Sequence, residues 1–189
     1  MRGFTLLSML LVLALTAPAA ALAQAPDPTG GAVYDAHAPD PGKPVIEGTK
    51  AKRLSDGRAA APSLAPPEVQ KAVWAANKIV GRPYIYGGGH NRTFKSSGYD
   101  CSGTVSYALH GGGLLGSPLD STSFMSWGKR AKGRWITVYA NSGHAYAVIA
   151  GLRLDTSAAG EVVSSGSGPR WRSNARKQAG FVARHPVGF

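Results

Sequence analysis

The chain has 189 residues and carries 21 Lys and Arg against 10 Asp and Glu, a formal net charge of +11. A balance this basic favours anionic surfaces such as a polyanionic cell envelope, acidic lipid or nucleic acid. Its single cysteine, Cys101, excludes an intramolecular disulfide, and no stretch beyond the N-terminal one approaches the roughly 20 apolar residues needed to span a membrane.

The first residues read as an export signal. One charge, Arg2, precedes an apolar run from Leu6 to Leu15 broken only by Ser8, and Ala21-Leu22-Ala23 fits a small-x-small cleavage pattern. The run is too short for a membrane anchor, so residues 1–23 are expected to be removed, with Gln24 as the new N-terminus and a mature charge of +10 once Arg2 is lost. The expected location is the periplasm, cell wall or extracellular space. Residues 24–66 are rich in Pro, Gly, Ala and Asp, have few large apolar side chains, and read as a disordered linker. From 67 to 189 large apolar residues recur, and the segment is long enough for one domain with its own core.

Within that domain, residues 67–80 read as a helix. Pro66-Pro67 opens it, Glu68 suits its first turn, Gly81 ends it, and Val69, Val73, Ala76 and Val80 share a face. Arg82 to Gly89 is an extended piece stopped by glycines, followed by a polar loop over 90–97. Asp100 reads as the N-cap of a helix over 101–109 that Gly111-Gly112-Gly113 ends, and a short helix is expected over 121–127. Strands are expected over 134–140, 143–150 and 152–156, with a turn near Gly151. A Ser/Gly-rich basic loop spans 164–180, and 181–185 is a last strand. Helices first and antiparallel strands afterwards predict an α+β fold.

A lone cysteine in an exported chain is either an inert buried thiol or a nucleophile. Cys101 stands at the start of a helix, where unpaired N–H groups and the helix dipole stabilise a thiolate and can receive an oxyanion beside it. A nucleophile needs a base. His37 lies in the linker, His90 in the polar loop, His110 at the far end of the cysteine's own helix, and His185 near the C-terminus. His144 instead heads a strand after the small pair Ser142-Gly143, and Asp155 follows it by eleven residues. A turn near Gly151 brings Asp155 within a residue or two of opposite His144, where a carboxylate can hold the imidazole. Taken alone, each also reads as an ordinary surface residue. The cations fall into two clusters, Lys129, Arg130, Lys132 and Arg134, then Arg170, Arg172, Arg176, Lys177 and Arg184. Both read as solvated loops.

With these residues in view, the chain resembles the NlpC-type cell-wall cysteine peptidases, a papain-like family, over roughly residues 68–189. The resemblance rests on Pro83-Tyr84-Ile85-Tyr86-Gly87-Gly88, then Asp100-Cys101-Ser102-Gly103, then Gly143-His144, then a polar residue at Asp155. It implies a papain-like fold with Cys101 as nucleophile, His144 as general base, Asp155 as the third polar group and Tyr84 beside the oxyanion. Tyr84 otherwise reads as a core aromatic. The family acts on peptide bonds in peptidoglycan stems and uses no metal or other cofactor. The implied partner is peptidoglycan, with the basic clusters offering attachment to anionic envelope polymers; no nucleic-acid-binding motif is visible. Two other functions fit the same residues: an amidase or transpeptidase on another acyl group, and a non-catalytic cell-wall-binding homologue.

Overall fold

Helix α1 (Pro67–Asn77) forms where proline presets the first turn and Glu68 meets its positive end. It buries Val69, Ala72, Val73, Ala75 and Ala76. Helix α2 (Cys101–Gly111) packs against it, and small residues set how closely: a side chain at Gly111 would collide with the Cβ of Ala75 at 2.1 Å. A short helix, α3 (Ser121–Phe124), is capped by Asp120 and buries Phe124. The computed structural model describes residues 40, 42–161, 166–174 and 176–189. The expected export signal over 1–23 and the first part of the expected linker lie outside them.

The rest is β structure. A six-stranded sheet runs in the order β4 (Lys129–Arg130), β9 (Val182–His185), β5 (Ile136–Asn141), β6 (His144–Ile149), β7 (Leu152–Asp155), β8 (Arg170–Arg172), every neighbouring pair antiparallel. The chain is therefore α+β. Alternation sorts the sheet's two faces. Ile136, Val138, Ala140, Ala145, Ala147, Ile149, Leu154 and Trp171 face the helices and share one apolar core with Val69, Val73, Val105 and Leu109. Ala145 and Ala147 are fully buried and small, which lets α2 lie close to β6. The opposite face carries Tyr139, Tyr146, Arg153, Asp155 and Arg172, all buried.

Two expectations are corrected. Residues 43–66 are not a linker in this structure, since β1 (Val45–Ile46), β2 (Lys52–Arg53) and β3 (Ala59–Pro62) form a second sheet in the order β1-β3-β2. Ala59, Ala60 and Ala61 are buried against α1. The segment is held by its backbone rather than by large side chains. The Ala51 N–H donates to the Ala150 carbonyl at 2.9 Å, and the Asn77 side chain accepts from Ala59 N–H and donates to the Ala59 carbonyl, both at 2.8 Å. A reading that looks for large apolar residues cannot see such anchoring. The second correction is β8, which lies inside the expected loop over 164–180. There Trp171 is buried, and its indole N–H donates to Asn77 Oδ1 at 2.8 Å.

Asn77 thus joins β3, α1 and β8. Replacing it with alanine should cost about 2–4 kcal/mol, because buried donors and an acceptor lose their partners at once. Urea denaturation measures this. A chain beginning at residue 67 should melt several degrees lower than the full chain.

Candidate active site

The site begins with a cap. Asp100 Oδ1 accepts from Gly103 N–H at 2.7 Å, and the Asp100 N–H donates to the Gly88 carbonyl at 3.2 Å, satisfying two of the four orphan donors that open α2. The N–H groups of Cys101 and Ser102 are left for another acceptor. The same carboxylate takes Gly87 N–H at 3.0 Å on Oδ2 and meets His90 Nε2 at 3.0 Å on Oδ1. It therefore fastens the turn after Tyr86 to the helix start. The glycines of both motifs exist for this approach. A Cβ on Gly103 would lie 2.0 Å from the Gly88 carbonyl oxygen, and one on Gly88 would lie 2.3 Å from that of Gly98.

Cys101 is buried, at 9% exposure, and meets the head of β6. Burial alone pushes its thiol up. The hydrogen bond with His144, the Ala145 N–H and the imidazolium charge outweigh this and pull it below its ordinary value of 9.0. His144 Nε2 is 2.9 Å from Asp155 Oδ1, which leaves Nδ1 as the nitrogen for Cys101. Burial disfavours the charged ring, but the bonds to Asp155 and Cys101 and their charges raise His144 to about 9. The His144 ring is thus protonated at neutral pH, and its charge favours the thiolate form of Cys101.

The hairpin explains the meeting of His144 and Asp155. In the β6–β7 register Ala147 pairs with Leu154. One step further sets Asp155 across from Tyr146, diagonal to His144 and on the same face. Asp155 is buried to 1% exposure and held from several sides. Ser157 N–H donates to Oδ1 at 2.9 Å and Arg176 Nη1 to Oδ2 at 3.1 Å, while Arg153 Nε stands 3.7 Å from Oδ2.

Tyr84 is not in the core. It is 43% exposed and lines two open clefts that meet at the Cys101–His144 pair. Burial raises its phenol first, and the charge of Cys101 adds to this. The cleft on the Cys101 side has a volume of about 390 Å³. His90, Asp120 and Tyr86 line it, with no Lys or Arg. The cleft on the His144 side offers Thr156, Ser157 and Ser167. Of the other histidines, His110 stacks on Phe94 at 4.0 Å and His185 meets the Ala131 carbonyl, both away from the thiol.

The arrangement can deprotonate a thiol, hold it charged, and supply N–H groups and a phenol to an oxyanion beside it. No model of a known protein family matches the chain, and no curated protein matches it.

Sequence reasoning missed the arginines behind Asp155. Arg153 and Arg172 are fully buried, and Glu161 Oε2 lies 2.7 Å from Arg172 Nη1. Arg176 lies over Tyr146 and Phe181, 5.2 and 5.1 Å from their ring centres. The second basic cluster is therefore not a wholly solvated loop: Arg172 and Arg176 serve the interior. The only sequence signal was the scarcity of acids to pair with, which does not say which arginine meets which carboxylate.

Alkylation of Cys101 by iodoacetamide should have its midpoint below 9.0 in the wild type. In His144→Ala the midpoint should move up, since only the Ala145 N–H then opposes burial. Arg176→Ala should destabilise by about 2 kcal/mol in urea, and Arg176→Lys should recover only part, because lysine lacks the planar group that stacks on both rings.

Proposed function

We propose that the protein is an exported cysteine endopeptidase, built on a papain-like fold, that hydrolyses peptide bonds in peptidoglycan stem peptides. The observation that carries the reading is the chain of groups Cys101, His144 and Asp155, with the last pair at 2.9 Å, placed where two open clefts meet. A buried inert thiol has no need of a raised imidazole or of clefts on either side. The choice of peptidoglycan stems rests on the ordered motifs around Tyr84, Cys101, His144 and Asp155 and on the export signal.

The reaction follows from the charges. The Cys101 thiolate attacks the amide carbon, forming an S–C bond and an oxyanion that the Cys101 and Ser102 N–H groups receive, with Tyr84 beside them. As the C–N bond breaks, the His144 imidazolium gives its proton to the leaving amine. His144, now neutral, takes a proton from water as that water attacks the thioester. Collapse releases the carboxylic acid and restores thiolate and imidazolium. Asp155 holds the ring throughout, Nε2 toward itself and Nδ1 toward the sulfur.

The pH dependence has a definite sign. The rate rises with pH through the lowered thiol value, as the nucleophile forms. It falls as pH passes about 9, because His144 loses the proton that the leaving amine needs. Asp155→Asn should move this alkaline limb toward the ordinary histidine value of 6.5. Digestion of purified peptidoglycan, followed by weighing the fragments, tests the whole reading. Wild type should release stem-peptide fragments and Cys101→Ala should be slower by about a thousandfold or more. Undiminished digestion by Cys101→Ala would sink the proposal.

A further inference from the structure

The first basic cluster behaves differently from the second. Lys129, Arg130, Lys132 and Arg134 fall within six residues, and all are exposed. Lys129 and Arg130 form β4, an edge strand, whose register sets Lys129 across from His185 and Arg130 across from Arg184. Two arginines directly opposite each other on a sheet cost stability. The sequence has no Asp or Glu between Asp120 and Asp155. Among the described residues none of Lys129, Arg130, Lys132, Arg134 and Arg184 takes part in an ion pair. Arg172 and Arg176, by contrast, are each paired to a buried carboxylate. The strip is also held in shape. Arg184 Nε donates to the Met125 carbonyl at 2.6 Å, and the Arg134 guanidinium lies 5.5 Å from the ring centre of Trp135.

We infer that this β4–β9 edge is a docking surface for a linear phosphate-bearing polyanion. The cations lie on the exposed edge strand β4 and the bend that follows it rather than around a concavity, which suits a polymer crossing the surface rather than a single enclosed small anion. Arginine and lysine both bind phosphate oxygens, and the release of counterions from such a polymer drives the association. The strip lines neither cleft of the site, and β9 and β5 separate it from β6 in the sheet. Docking there leaves Cys101 free. That the polymer belongs to the cell envelope rests on the exported reading given above; the binding itself does not.

The experiment measures binding of labelled long-chain polyphosphate to the full chain by fluorescence anisotropy over a salt series. Wild type and Cys101→Ala should bind alike, with log affinity falling against log salt at a slope of about −3, as expected for four or five phosphate contacts. The quadruple variant Lys129→Gln, Arg130→Gln, Lys132→Gln, Arg134→Gln should lose at least about tenfold in affinity and flatten that slope. Its cleavage of a soluble stem peptide should stay at the wild-type rate. A control variant in another exposed basic group, Lys50→Gln, Lys52→Gln, Arg53→Gln, should stay within about twofold of wild type. Equal losses in the two variants would overturn the proposal, since binding would then follow net charge alone. Tighter binding to anionic lipid vesicles, at matched salt, would overturn it too. If no peptide is cleaved but the strip variant alone loses polyphosphate, the peptidase reading falls and the docking surface stands.

Discussion

A charged sulfur inside a protein is costly, and the structure meets that cost with alternation of sign. Thiolate, imidazolium, carboxylate and guanidinium follow one another from Cys101 through His144 and Asp155 to Arg176. Each member is buried or nearly so, and each is tolerable only because of its neighbours. Removal of any one leaves the next as an uncompensated charge. The arrangement explains why a carboxylate that touches no substrate is surrounded by two arginines, and why those arginines occupy the interior of so small a sheet. Arg153 and Arg176 do not act on the thiol. They hold Asp155 in place, Asp155 favours the protonated ring of His144, and the charge on His144 favours the thiolate.

This electrostatic chain depends on a second constraint, which is steric. The helix start must sit against the head of β6 to within hydrogen-bonding distance, and backbone passes where side chains would not fit. Ala145 and Ala147 let α2 lie close to β6, while Gly88 and Gly103 let the turn after Tyr86 pass against the helix start, and Asp100 locks it by bonding both the turn and the helix. The capping residue thus does two jobs. It satisfies donors that α2 would otherwise leave bare, and it does so without using the Cys101 and Ser102 N–H groups, which stay open to the cleft.

Much of this was legible in the sequence, for physical reasons. A cap followed by a helix, a strand headed by histidine, and a tight turn with a carboxylate the right distance beyond it are local patterns, and local patterns survive without tertiary information. The α+β order and the pairing of His144 with Asp155 belong to this class. What was hidden is non-local. The alanines of β3 enter the core through hydrogen bonds to Asn77 and through small size, and neither leaves a mark of hydrophobic periodicity. Arg-Trp-Arg in β8 looks like a surface segment because charge usually means solvent, and here Arg172 is buried, pairing with Glu161 and donating to the Asp155 carbonyl. The two basic clusters look alike in sequence, yet among the described residues only the second has members, Arg172 and Arg176, that pair with carboxylates. The difference lies in which carboxylates the fold delivers to them.

The account stands on the protonation of one ring. Nitrogen-15 NMR of His144 across a pH series reads that state directly, since the doubly protonated and neutral imidazoles have different shifts. The account predicts a doubly protonated ring at neutral pH that loses its proton only near 9. A neutral His144 beside a protonated thiol at neutral pH would contradict it.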